Sequence, residues 1–238
     1  MERFIPRCPV YQFKPRILYE SELLLPTSLY GIQIPASLSM MDVRAPTYVS
    51  PTQMLAKLRA QSSQRTGSRL GVVHGLTTVE FAVRFSNVTR QWRQVSSNGQ
   101  TPMWQFQGGD VYLEITLNVF ILEGDRPVSN DSISRQIFAI IMEHELEHVA
   151  DEIDIVSRWM PAQVYQDDRV KRYLTHAQPV DDRSFHHWYL GNGFTNWLRD
   201  GIWAHEHNRR AAQQDSPANY GALQRRIDQL RIRQINTP

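Results

Sequence analysis

The chain has a single cysteine, Cys8, in 238 residues. A lone thiol excludes an internal disulfide and any cysteine-based zinc cluster. Lysine is almost as scarce: Lys14, Lys57 and Lys171 are the only three, and arginine supplies the rest of the positive charge. The formal net charge is only +2, which implies no strong polyanion partner, so no nucleic-acid partner is expected. No run of eighteen apolar residues occurs, so no membrane span is expected. The opening stretch, MERFIPRCPV, lacks the charged-then-apolar order of a secretory signal. A cytoplasmic protein, one exported by a signal-independent route, or a fragment of a longer chain is the expectation.

With 41% hydrophobic and 21% charged residues, the chain can bury a core and reads as globular. Its length suits one large domain or two small ones. Residues 1–52 carry Pro6, Pro9, Pro15, Pro26, Pro35, Pro46 and Pro51. That spacing favours extended segments and turns over long helices. An N-terminal arm over residues 1–69 is expected to wrap the core, since Phe4, Tyr11, Phe13, Ile17, Leu18 and Leu23 to Leu25 all call for burial. A sharper reading makes the arm a propeptide that covers a cleft. Residues 51–61 read as a short helix started by Pro51.

Residues 70–125 read as sheet. Val79, Phe81, Val83 and Phe85 alternate with Glu80 and Arg84. Asn98-Gly99 marks a turn. Val111, Leu113, Ile115, Leu117, Val119 and Ile121 alternate without a break and predict the clearest strand. After Pro127 and the capping candidates Ser129 to Ser132, an apolar helical stripe begins at Ile133. It leads into His144-Glu145-Leu146-Glu147-His148. Residues four apart share a helix face, so His144 and His148 aim two imidazoles at one point. Glu145 lies about 100° round the helix, within reach of a water held there. Two neutral imidazoles and a carboxylate are what a metal-activated water needs.

A catalytic zinc usually has three protein ligands and an open position. Asp154, six residues past His148, would serve only if the helix turned at Asp151, and Asp151 favours its continuation. Asp151 is better cast as a residue that orients an imidazole. The other source is His205-Glu206-His207, on a helix predicted over residues 194–214 with Gly201 as its weak point. His186 and His187 are further candidates. After Asp215-Ser216-Pro217, the residues Tyr220, Leu223, Ile227 and Leu230 predict an amphipathic closing helix.

HELEH on a helix that follows a sheet resembles the zincin metallopeptidases. The resemblance implies zinc ligands at His144 and His148 and a general base at Glu145. The chain also resembles a family of secreted bacterial zinc proteases with a Trp-containing sheet, HExxH and a downstream acid-x-x-x-His-Gly stretch. Trp203 to Gln214 matches that stretch, with His207 at the His position and Asn208 in place of the Gly. The likeness implies His207 as third ligand; Glu206 is the alternative, because another zincin branch uses Glu. It further implies an α+β fold: a small antiparallel sheet on the HExxH helix, then a mostly helical C-terminal part, within residues 70–238. The expected function is a zinc metalloendopeptidase that acts on a protein or peptide, as a bacterial effector or toxin domain with a delivery or immunity partner. A degenerate zincin acting as a binding module and a cell-wall amide hydrolase are the alternatives. His186, His187, Tyr189 and Arg210 are candidate donors to the oxyanion.

Overall fold

A computed structural model describes residues 11–62, 73–85, 92–96, 103–106, 109–168, 178–179 and 192–236. The fold mixes helices and strands. The strands are β1 (Tyr11–Tyr19), β2 (Thr47–Val49), β3 (Gly75–Phe85), β4 (Trp92–Ser96), β5 (Met103–Phe106), β6 (Gly109–Leu122) and β7 (Gln178–Pro179). The helices are α1 (Thr27–Tyr30), α2 (Pro51–Ser62), α3 (Ser132–Asp154), α4 (Met160–Gln166), α5 (Gly193–Asn196), α6 (Ala204–Gln214) and α7 (Pro217–Asn236). No helix among the described residues is long and apolar enough to cross a membrane.

Two compact units divide the chain. One comprises Met1–Ile17, Phe81–Ile115 and Ile153–His207; the other comprises Leu18–Glu80, Thr116–Glu152 and Asn208–Pro238. Each draws on both sides of residue 69, where the sequence suggested that an arm ends. The HExxH motif lies in the second unit.

The longest strand, β6, is the one read from sequence, and Val111, Leu113, Ile115, Leu117 and Ile121 are buried as predicted. The other face is less polar in practice. Phe120 is buried with Val49, Met54 and Leu76. Glu114 is buried too, with Arg84 donating to Oε1 at 3.0 Å and Arg16 to Oε2 at 3.4 Å. Those guanidiniums make its burial tolerable.

The antiparallel expectation needs correction. In the four-stranded sheet, with order β1-β6-β2 and β3 also paired to β6, strand β2 runs parallel to β6, Thr47 facing Phe120 and Val49 facing Leu122. Alternation along a strand tells which face is buried but not which way a neighbour runs. Antiparallel pairing holds the separate sheet β4-β5-β7.

The Pro-rich segment behaves as read, with two strands, turns and one four-residue helix before Pro51. Leu25, Ile32, Leu38, Val43 and Val49 are buried, whereas Leu23 and Leu24 are exposed, against expectation. Leu23 is held through its backbone, its carbonyl accepting from Ala45 N at 2.9 Å. Residues 1–10, most of the 62–69 loop and the Asn98-Gly99 turn lie outside the described residues.

Helix α3 starts at Asp131, whose Oδ1 accepts from the N–H groups of Ile133 (2.8 Å) and Ser134 (3.2 Å). This satisfies two of the orphan donors of the first turn. Phe138 is fully buried and meets Tyr30 edge-on at 5.1 Å. Burying such a side chain contributes roughly 2–3 kcal/mol. The helix runs past Asp151 without a break, then widens into a π turn at Ile155–Trp159 before α4. Pro161 explains that bulge: it has no N–H to give and would collide with a carbonyl one turn back in a regular helix. A second π turn, Trp197–Trp203, spans the weak point at Gly201.

Candidate metal centre

Because α3 is regular through residues 144–148, the two imidazoles stand one turn apart, their rings 4.8 Å apart and nearly perpendicular. Their Nε2 atoms are 3.3 Å from each other. A carboxylate completes the group. Asp215 Oδ1 is 3.1 Å from His148 Nε2 and 3.3 Å from His144 Nε2. Four-coordinate zinc with bonds of 2.0–2.1 Å requires ligand atoms about 3.3 Å apart. The triangle matches one face of that tetrahedron. With no proton on either Nε2, three lone pairs would point at one another, so a cation or a proton belongs between them. A divalent ion could engage all three atoms at once.

Asp215 occupies the corner between α6 and α7. Its N–H still bonds the Ala211 carbonyl at 2.8 Å, and Ser216 then opens the next helix by accepting from Tyr220 N at 2.9 Å. The corner lets a short side chain reach back to α3. Asp151 steadies it from the other side. Its Oδ2 accepts from Gln214 Nε2 at 2.7 Å and its Oδ1 from Arg210 Nη1 at 3.1 Å. Asp151 therefore fixes the end of α6 rather than an imidazole.

His144 feels opposing influences. Burial pulls its pKa down, but the hydrogen bond it donates to Asp215 and the charges of Glu145, Asp215 and Glu147 outweigh that, and the result lies above the usual 6.5. Glu145 is buried at 3% exposure. Thr77 Oγ1 donates to its Oε2 at 2.7 Å, and Gly75 lies so close that an added Cβ would stand 2.5 Å from Oε1. The first residues of β3 thus define where the carboxylate sits. The Tyr220 ring packs edge-on to His144 at 6.4 Å. Its hydroxyl is pushed up to about 12, chiefly by burial, then by the Glu145 and Asp215 charges, against a backbone hydrogen bond from His74. It is a proton-bearing donor throughout the neutral range.

No family model, curated protein or solved structure matches the chain.

The residues chosen from sequence separate into distinct places. His144 and His148 come together as read, while the Glu145 carboxylate is held by Thr77 and its charge acts on His144. Among the described residues, the group that could hold a metal is His144, His148 and Asp215, without His207 or Glu206. The His207 ring stacks on Trp203 at 5.0 Å, and Trp203 stacks on Phe81 at 5.1 Å. Glu206 is buried. Asp154 pairs with Arg158, four residues on, where α3 passes into the π turn. His186, His187 and Tyr189 lie outside the described residues. Arg210 is engaged with Asp151. Sequence reasoning missed Asp215, Thr77, Gly75 and Tyr220. Asp215 had one usable signal: a carboxylate in a helix-breaking Asp-Ser-Pro corner.

An open cavity of about 530 Å³ adjoins His144, between α3, α6 and α7. Its walls are polar, with Glu143, Glu147 and Asp151 facing Arg209, Arg210 and Arg226.

Proposed function

We propose that the protein is a zinc-dependent metallopeptidase, with His144, His148 and Asp215 holding the metal and Glu145 as general base. The observation that carries this reading is the 3.1–3.3 Å triangle of two imidazole nitrogens and a carboxylate oxygen beside a buried glutamate. The donor set fits zinc, which takes imidazole and carboxylate ligands in tetrahedral sites. Asp215 replaces His207 and Glu206 as the preferred third ligand, because its oxygen already stands at ligand spacing.

Zinc bound there would acidify a water and polarise a carbonyl. The protein's own residues do the rest. Glu145, fixed by Thr77 and abutting Gly75, accepts the water proton and returns it to the leaving nitrogen. Tyr220 retains its proton and can donate to a carbonyl oxygen as negative charge develops there. Arg210 is committed to Asp151 and is no longer a preferred donor.

The polar cavity beside His144 suits a hydrophilic substrate.

Metal analysis and a broad peptide-cleavage assay of wild type against Glu145→Gln test the proposal. Retained zinc with lost cleavage in the variant supports it. Absence of cleavage by wild-type protein with zinc bound overturns it in favour of a binding role.

A further inference from the structure

A second buried cluster lies directly behind the base. His74 is 1% exposed, and its two ring nitrogens are both engaged. Nδ1 is 2.8 Å from Asp125 Oδ2, and Nε2 is 3.2 Å from Gln224 Oε1. The second oxygen of Asp125 accepts from Arg231 Nη2 at 2.7 Å. Gln224 is held in turn, with its amide nitrogen donating to Asp228 at 2.9 Å. The backbone of His74 is also engaged, its carbonyl accepting from Leu122 N at 3.0 Å.

These contacts join three elements at one imidazole. Asp125 closes the turn after β6, His74 leads into β3, and Gln224 and Arg231 belong to α7. The same elements present the reacting groups. Gly75 and Thr77, one and three residues past His74, locate Glu145. Tyr220, one turn before Gln224, takes a backbone hydrogen bond from His74 itself. At 1% exposure the ring meets no substrate, which excludes a direct part in the reaction.

We propose that His74, clamped between Asp125 and Gln224, is a positioning residue that sets Glu145 and the Tyr220 hydroxyl at a fixed separation. This rests on the metallopeptidase reading. A buried imidazole with a partner on each ring nitrogen is suited to the task, because each contact fixes one neighbour. Displacements of an ångström at a reacting group cost about a hundredfold in rate.

The test uses His74→Gln and the milder Gln224→Met, with Met54→Ala in the core as a control for plain destabilisation. Zinc content, melting temperature, kcat and KM are measured, with the ¹³Cζ resonance of Tyr220 at neutral pH, identified with Tyr220→Phe. The expected result is a roughly tenfold or larger fall in kcat with KM and zinc content unchanged, and a displaced Tyr220 signal. The control should show neither at comparable melting temperature. If kcat and the Tyr220 signal merely follow melting temperature in all variants, the cluster is structural and the inference fails. If wild-type protein takes up no zinc, the metallopeptidase reading fails, and the Tyr220 signal still decides whether His74 positions that side chain.

Discussion

Thr77 and Glu145 are joined twice: the threonine hydroxyl lies 2.7 Å from the glutamate Oε2 and 3.2 Å from its main-chain oxygen. A hydrogen bond to a buried carboxylate contributes about 1.5–3 kcal/mol. Thr77→Val keeps the shape and removes the donor. Urea unfolding should show a loss of that size, and Thr77→Ser should recover most of it. Equal stability of Thr77→Val and wild type would contradict the assignment.

Gly75 leaves no room for a side chain. A methyl at this position would stand 2.5 Å from Glu145 Oε1 and 2.9 Å from its Cδ and Cγ. Gly75→Ala should therefore move the carboxylate. We expect peptide cleavage to fall about a hundredfold with zinc content unchanged. Steady-state kinetics beside metal analysis checks both halves of the statement.

Asp215, not His207, is expected to govern metal uptake. Asp215→Ala should lose zinc and the thermal stabilisation zinc gives, which amounts to about 4 kcal/mol at a thousandfold excess over Kd. His207→Ala should keep the metal, since that ring stacks on Trp203. Calorimetric titration with zinc distinguishes the two variants.

Asp151→Asn weakens the hold on Arg210 and Gln214, next to Asp215, the proposed third ligand. Residues that steady a ligand in this way typically change metal affinity by about 10–100-fold. A zinc Kd raised by about tenfold is expected, and an unchanged Kd would count against this role.

Protons and metal compete for His144. Its folded-state pKa is raised above 6.5, the Asp215 hydrogen bond and the nearby carboxylates overcoming the effect of burial. In metal-free protein, that shift contributes stability in full below 6.5, which is lost as pH rises through the raised value. Zinc needs the neutral ring, so its affinity should rise across the same interval. Unfolding of metal-free protein and zinc titration, each as a function of pH, should give opposite slopes there.

Much of this fold was legible because it is written locally. The Ile137–Ile141 stripe, the four-residue spacing of His144 and His148, and the alternation from Val111 to Ile121 are periodic signals. Asp154 could be set aside from helix geometry alone, and its pairing with Arg158 agrees. The third ligand was not legible in the same way. His207 stood out by residue type and by resemblance, yet its neighbour turned out to be an aromatic ring. Asp215 looked like punctuation between helices, and only the return of α6 to α3 gives it a role. Glu114 makes the same point: alternation placed it on the polar face, but Arg16 and Arg84 allow it to be buried. The parallel run of β2 along β6 depends on a connection of some sixty residues, which no local pattern records.

The carboxylate that faces the two imidazoles comes 67 positions after the second of them, His148. During synthesis the histidines emerge first and wait for their companion until α6 has been made. A ribosome-bound chain short of that corner presents only two of the three proposed ligand atoms, so under the metallopeptidase reading tight zinc binding, and any cleavage that depends on it, would be deferred until the turn between α6 and α7 has emerged. Late completion would guard the producing cell against a peptidase active before it is fully formed.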